Sequence, residues 1–314
     1  MLAQLHKDFP NDLRIIYRYF PLESIHDKAD LSAQAAAAAG NQGKFWEMHD
    51  ILFEKQGEWA SLTVDQFKDW LLKAADTLGL DKARFEKDLL DPANVAMIHN
   101  AWVDGSSSGV PFTPFLIMND QIWPDSIPKD YNSLTAIIKV DLLEKKQFTT
   151  CPDMTIDLAK KYTATLHTAK GDIIIDLYAD QAPLAVNNFI FLARQGWYDG
   201  VTFFRVLPGF IAQTGDPTDS GMGNPGYAFD NEITSALKFD KAGVVGMVND
   251  GPGTNGSQFF ITYAPADRLN GQYTIFGQVL SGMDVVAKLS PRDPSKGGAL
   301  PPGDGIRSVT IAEK

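Results

Sequence analysis

Cys151 is the only cysteine in 314 residues, and His167 is the only histidine beyond position 99. A lone thiol excludes a disulfide within this chain, a Cys-X-X-Cys redox pair and any multi-cysteine zinc site. It reads as a bystander in a linker or as a point of intermolecular pairing. His167 falls on a strand pattern and reads as a strand histidine without a chemical role. Ser257 sits in Gly256-Ser257-Gln258, which is not the strained elbow that exposes a serine nucleophile. The run GPGTNGS, Gly251–Ser257, looks like a phosphate cradle but lacks the Gly-Lys-Ser/Thr ending of a P-loop. No His, Cys or carboxylate cluster has metal-ligand spacing. Nucleophilic, metal-assisted and nucleotide-dependent chemistry all lack parts, so neither a cofactor nor a metal is expected.

A reaction that moves no proton and forms no covalent intermediate suits what is left. Rotation about the peptide bond before proline is one. Its barrier, about 18–20 kcal/mol, is the resonance of the C–N bond, and the uncatalysed step takes about 10–100 s. In the twisted state that resonance is lost, and the proline nitrogen becomes a better hydrogen-bond acceptor. A fixed guanidinium in a dry, aromatic-lined pocket stabilises the twisted state over the planar one. Two segments imply such a pocket: FFRVLPGFIAQTGD, Phe203–Asp216, which carries Arg205, and VGMVNDGPGTNGSQFFI, Val245–Ile261.

These segments closely resemble cyclophilins. APLAVNNF, Ala182–Phe189, and LNGQYTIFG, Leu269–Gly277, extend the resemblance, which runs from about Tyr162 to the C-terminus. It implies a proline-directed isomerase with roles carried position by position. Arg205 matches the catalytic arginine, and Gln213 the glutamine that orients it. Phe210, Ile211, Phe260 and Leu269 match the walls of the proline pocket, with Phe210 placed beside the arginine in the catalytic set. Val248, Asn249 and Gln258 match positions that hold the substrate backbone. Tyr273, a further substrate contact, stands where many cyclophilins have His, and Arg268 where many have Trp. The two departures imply retained activity with weakened cyclosporin binding.

The elements that must position these residues are legible in the texture of the chain. From about Lys161, short β-branched and aromatic runs are broken by Gly and Pro, as in an antiparallel barrel or sandwich. Tyr162–His167 and Asp172–Tyr178 read as a hairpin. Val201–Val206, Phe210–Thr214, Val244–Val248, Phe259–Thr262, Thr274–Val279 and Ile306–Ile311 read as strands, with helices at Ala182–Arg194 and Asp284–Leu289. Many strands with two helices predict a closed antiparallel barrel capped by helices, cyclophilin-like, over residues 161–314. Residues 148–160 read as a linker.

Residues 1–147 are helical in pattern. Helices are expected at Asp30–Ala39 with Gly40 as its αL cap, Phe45–Lys55, Val64–Leu78, Lys82–Leu90 and Lys129–Lys145. Thr63 and Gln66 form a capping box for the third of these. Leu13–Phe20 and Phe115–Met118 are strand candidates. RIIYRYFPL from Arg14, KFWEMHD from Lys44 and GVPFTPF from Gly109 resemble the DsbA-like branch of the thioredoxin fold. That resemblance implies an α/β domain with a helical insertion and a cis Thr113–Pro114 bond. The family's redox motif would lie before Met1, so the domain is expected to be truncated and thiol–disulfide exchange unavailable.

The formal net charge is -11, and both halves are acidic. Nothing resembles the clustered positive charge of a nucleic-acid footprint. There is no apolar run long enough to span a membrane, and the start of the chain carries no secretory signal pattern. The expected partners are proline-containing peptides and unfolded or folding proteins. The expected location is the cell envelope or another extracytoplasmic compartment by family resemblance, with the cytoplasm as the alternative. The rival functional reading is a non-catalytic proline-peptide-binding or holdase chaperone module.

Overall fold

A computed structural model describes residues 1–296 and 300–314. The chain divides into two compact units, Leu13–Pro128 and a second made of Met1–Asp12 with Lys129–Lys314.

In the Leu13–Pro128 unit, helices surround a small apolar core. They are preceded in the chain by α1 (Leu2–Asp8), which belongs to the other unit. Here α2 (Ala29–Gly40), α3 (Phe45–Glu54), α4 (Gln56–Trp59), α5 (Val64–Thr77), α6 (Lys82–Leu89) and α7 (Pro92–Ser107) follow in order. Ala35, Ala38 and Ala39 of α2 are fully buried, because alanine lets α3 and α6 approach closely; Met48, Phe67, Leu71 and Phe85 fill the space between. The predicted capping box is present: Gln66 N–H donates to Thr63 Oγ1 (3.3 Å) and Thr63 N–H to Gln66 Oε1 (3.0 Å). Such a cap is worth about 1 kcal/mol. Gly40 is not the expected αL cap. It stays helical, and the left-handed residue is Gly43 (φ 76°).

Two further expectations change in this unit. Leu13–Phe20 forms no strand, and among the described residues the backbone of residues 13–20 enters no backbone hydrogen bond. Side chains hold it instead: Phe20 stacks on Trp102 of α7 (6.4 Å, 21°), and Tyr19 packs against the helical core. A strand needs a neighbour to satisfy its N–H and C=O groups, and none of the described residues pairs with this segment. The expected strand Phe115–Met118 shrinks to β1 (Ile117–Met118), paired with β2 (Gln121–Ile122) in an exposed hairpin after the cis Thr113–Pro114 bond. The helix α7 escapes the sequence reading, although Asp91 caps it and Pro92 opens it. Its buried stripe is thin, Asn94 and Ile98 alone.

The second unit is a nearly closed antiparallel barrel. After α8 (Tyr131–Leu143) come β3 (Tyr162–Thr168), β4 (Gly171–Leu177), α9 (Pro183–Arg194), β5 (Thr202–Phe203), β6 (Arg205–Leu207) and β7 (Ile211–Thr214). Then follow β8 (Val244–Met247), β9 (Phe259–Thr262), β10 (Ile275–Ser281), α10 (Met283–Val286) and β11 (Asp304–Glu313). The strand order is β5-β11-β3-β4-β10-β8-β9-β7-β6. The expected strand Val201–Val206 is split at Phe204. Its first half pairs with β11 and its second with β7, so one short stretch of chain joins the two edges of the sheet. Phe189, Tyr198, Phe259 and Phe276 pack inside. Residues 148–160, read as a linker, run along the barrel: Phe148 N–H donates to the Pro225 carbonyl (2.8 Å) and Thr155 N–H to Asn187 Oδ1 (2.9 Å). Among the described residues, no helix is long and apolar enough to cross a membrane.

Candidate functional site

Strand parity builds the site. Along β7 and β9, Ala212, Phe259 and Ile261 point into the barrel core, so Ile211, Gln213 and Phe260 point out. In β6, Val206 faces the core and Arg205 therefore faces out. The register places Arg205 opposite Gln213, Gln213 opposite Phe260, and Phe260 opposite Gly246. One row across the outer face thus carries a cation, an amide and an aromatic ring.

Beside that row lies a separate apolar cluster. Ile211, Phe239, Val244, Phe260, Ala266 and Ile275 form its buried part, with Phe210, Val248, Leu269 and Tyr273 half-buried against it. Phe239 stacks on Phe260 (5.5 Å, 26°), and Tyr273 meets Phe260 edge-on (5.6 Å, 90°). Gly246 makes this possible: a Cβ there would come within 2.8 Å of Phe260 Cζ and 2.9 Å of Phe239 Cζ.

The arginine is aimed by an amide relay. Arg205 Nη1 donates to Gln213 Oε1 (3.2 Å), and Gln213 Nε2 donates to Gln258 Oε1 (3.0 Å). Gln258 Nε2 then donates to the carbonyls of Gly221 (2.9 Å) and Gly223 (3.0 Å). Only one polarity satisfies this chain. Carbonyls only accept, so Gln258 must present its NH2 to them, and each step back to the guanidinium follows. Asp216, fully buried, anchors the far end: its carboxylate accepts from Thr218 N–H (2.7 Å), Thr218 Oγ1 (2.7 Å), Gly221 N–H (2.6 Å) and Gly223 N–H (3.2 Å). On the other side, Val206 bridges Arg292 through backbone hydrogen bonds of 2.7 and 3.0 Å, and the Arg292 guanidinium donates to the Phe204 carbonyl.

The structure therefore brings together Arg205, Phe210, Ile211, Gln213, Val248, Gln258, Phe260, Leu269 and Tyr273. Asn249 is differently occupied. Its Nδ2 donates to Asn231 Oδ1 (3.4 Å), Asn255 Oδ1 (3.4 Å) and the Gln272 carbonyl (3.2 Å), and its Oδ1 accepts from Gly251 N–H (3.2 Å). Its side chain shapes the Asp250–Asn255 loop. Gln258, read as a substrate holder, also bridges Gln213 to the Gly221–Gly223 loop. Asp216, Gly221, Gly223 and Arg292 were missed. The Gly215-Asp216 end of the first motif was the available signal, since a carboxylate inside an apolar block has to find N–H donors. His167 clasps three strands from outside, Nδ1 against Asp172 Oδ1 (2.9 Å) and Nε2 against Thr310 Oγ1 (3.1 Å).

The model of the family "cyclophilin type peptidyl-prolyl cis-trans isomerase/CLD" matches residues 163–311, and a thioredoxin family model matches residues 3–140. Peptidyl-prolyl cis-trans isomerase ppi1 of Schizosaccharomyces pombe is 50% identical over 127 residues, 40% of this chain and 82% of its own. Peptidyl-prolyl cis-trans isomerase 10 of Caenorhabditis elegans is 48% identical over 130 residues, 40% of this chain and 81% of its own. A crystal structure of a Cryptosporidium parvum cyclophilin type peptidyl-prolyl cis-trans isomerase, determined in the presence of the dipeptide ala-pro, aligns at 36% identity with a TM-score of 0.45. It covers 48% of this chain and 98% of its own.

Proposed function

The chain belongs to the cyclophilin-type peptidyl-prolyl cis-trans isomerase family and is a peptidyl-prolyl cis-trans isomerase, and from that premise we propose that Arg205 drives the reaction by stabilising the twisted prolyl amide. The observation that carries this reading is the relay. The guanidinium is held through Gln213 and Gln258 onto the Gly221 and Gly223 carbonyls, on the row that also carries Phe260. Phe210, Ile211, Phe260 and Leu269 take the proline ring, and burying it excludes water from the amide. As the C–N bond twists, the nitrogen gains a lone pair that accepts from Arg205. The planar amide offers no such acceptor, so the interaction favours the transition state selectively. Val248 and Gln258, with the backbone of Asn249, hold the peptide on either side. No proton is transferred.

The substrates are proline-containing peptides, among them unfolded and folding proteins. The resemblance of the first half to DsbA-like domains favours an extracytoplasmic site of action over the cytoplasmic alternative, and fractionation of the native host tests it. The mechanism is tested by Arg205→Ala in an exchange measurement on an Ala-Pro peptide. Losing a preorganised donor from such a site lowers kcat/KM by about 100-fold. Equal rates for the wild type and the variant, both indistinguishable from the uncatalysed rate, give the function to the peptide-binding, holdase reading instead.

A further inference from the structure

Arg268 stands beside the aromatic cluster, with a charge that no carboxylate meets among the described residues. It lies in the 3-10 turn Asp267–Leu269, between Ala266, buried in the aromatic cluster, and Leu269, packed against that cluster. Its guanidinium carbon sits 4.1 Å from the centroid of the Phe210 ring. The side chain is exposed, and among the described residues its guanidinium enters no hydrogen bond and no ion pair; only its backbone carbonyl is used, by Gln272 Nε2 at 2.8 Å. The neighbouring carboxylate, Asp267, accepts from Asn270 Nδ2 (3.4 Å). The ring contact holds the head in place while its planar set of N–H donors, the geometry that matches a carboxylate, stays available.

We propose that Arg268 is a specificity-determining residue that selects proline peptides carrying a carboxylate side chain next to the proline. The proposal rests on the isomerase reading of the Arg205 site. A proline seated against Phe210 brings its flanking side chains within reach of a guanidinium lying on that same ring. The formal charge of -11 opposes acidic ligands at long range. Screening over about 8 Å at physiological ionic strength removes most of that field, while a contact pair at the pocket mouth keeps its attraction. A guanidinium seated on the Phe210 ring discriminates by charge where an apolar side chain would discriminate by bulk.

The test uses the full chain and pentapeptides with Glu, Ala or Lys placed before or after a single proline, their isomerisation followed by exchange spectroscopy. At physiological ionic strength the wild type turns over a Glu-flanked peptide about fivefold faster in kcat/KM than its Lys-flanked counterpart, in at least one of the two placements, and the ratio shrinks in 1 M salt. Arg268→Leu brings the ratio to near one, and Arg268→Glu inverts it. Arg205→Ala binds the same peptides with the charge preference intact while losing turnover. A wild-type ratio below about twofold in both placements, or a ratio unchanged in both Arg268 variants, overturns the proposal. A failure of the isomerase mechanism registers separately, as wild-type turnover by Arg205→Ala.

Discussion

A guanidinium on a sheet surface is mobile unless something holds its donors, and here the holding group is remote. Between Arg205 and Asp216 stand Gln213, Gln258 and two glycine carbonyls, each with its donor or acceptor end committed. Asp216→Asn turns an amide NH2 toward the N–H groups of Gly221 and Gly223, where donor faces donor and each lost bond costs about 1–3 kcal/mol. The expected result is a fall of about tenfold in kcat/KM, carried by kcat more than by KM, because the displaced loop carbonyls release Gln258. Gln258→Ala lowers the rate by a similar factor. The double variant is no slower than the worse single one, as a shared relay requires; additive losses with unchanged arginine resonances in NMR spectra would refute the coupling. The glycines are part of the device, since a Cβ on Gly223 would stand 1.9 Å from Asp216 Oδ1. Position-by-position resemblance identified Gln213 and Gln258 but assigned them separate tasks. Their bond is a tertiary fact, since Gln213 lies on β7 and Gln258 just ahead of β9, segments that the sequence does not pair.

At the scale of the element, the strands of the barrel were legible to within a residue or two, the split of Val201–Val206 aside, because β-branched and aromatic runs are bounded by Gly and Pro. β7, β8 and β9 are buried along their whole length, since their outer face is covered by the pocket cluster. Leu13–Phe20 shows the opposite case. Its composition is that of a strand, yet strand is a property of a pair. Hydrogen exchange should find the amides of Ile15–Phe20 unprotected, while those of the α2 core exchange slowly; protection equal to α2 would mean that the segment is paired in solution. Glu232 offers a test through pH. Its carboxylate accepts from Leu184 N–H and Ala185 N–H (both 2.9 Å) at the start of α9. Burial nevertheless holds its carboxyl above the ordinary 4.5, outweighing those bonds. A raised folded value means stability is present in full below about pH 4.5 and is lost as pH rises through the folded value. Thermal melts of the wild type and Glu232→Gln should therefore diverge across that interval, with the wild type losing the more. Carbon-detected titration of Glu232 should give a midpoint above 4.5.

For the whole molecule, the match to the isomerase family lies in the barrel, and the single thiol lies in the segment leading into it. Cys151 is exposed, but partial burial pushes its thiol above the ordinary value of 9.0. Less thiolate means slower attack. The chain should react with a disulfide reagent at pH 8 more slowly than an unstructured cysteine peptide does, and insulin should stay oxidised in its presence. A rate equal to or above that of the peptide would contradict the reading. The short-range patterns of the chain were sufficient for the barrel, its helices and the capping box. All of these depend on neighbours within one strand or one helical turn. Tertiary structure alone decided the rest: the break at Phe204 that joins the two sheet edges, the missing partner of Leu13–Phe20, and the course of 148–160 along the barrel. It also decided the polarity of the relay and the seat of Arg268 on Phe210. Each of those is a contact between segments distant in the chain, whose closeness arises only when the core packs.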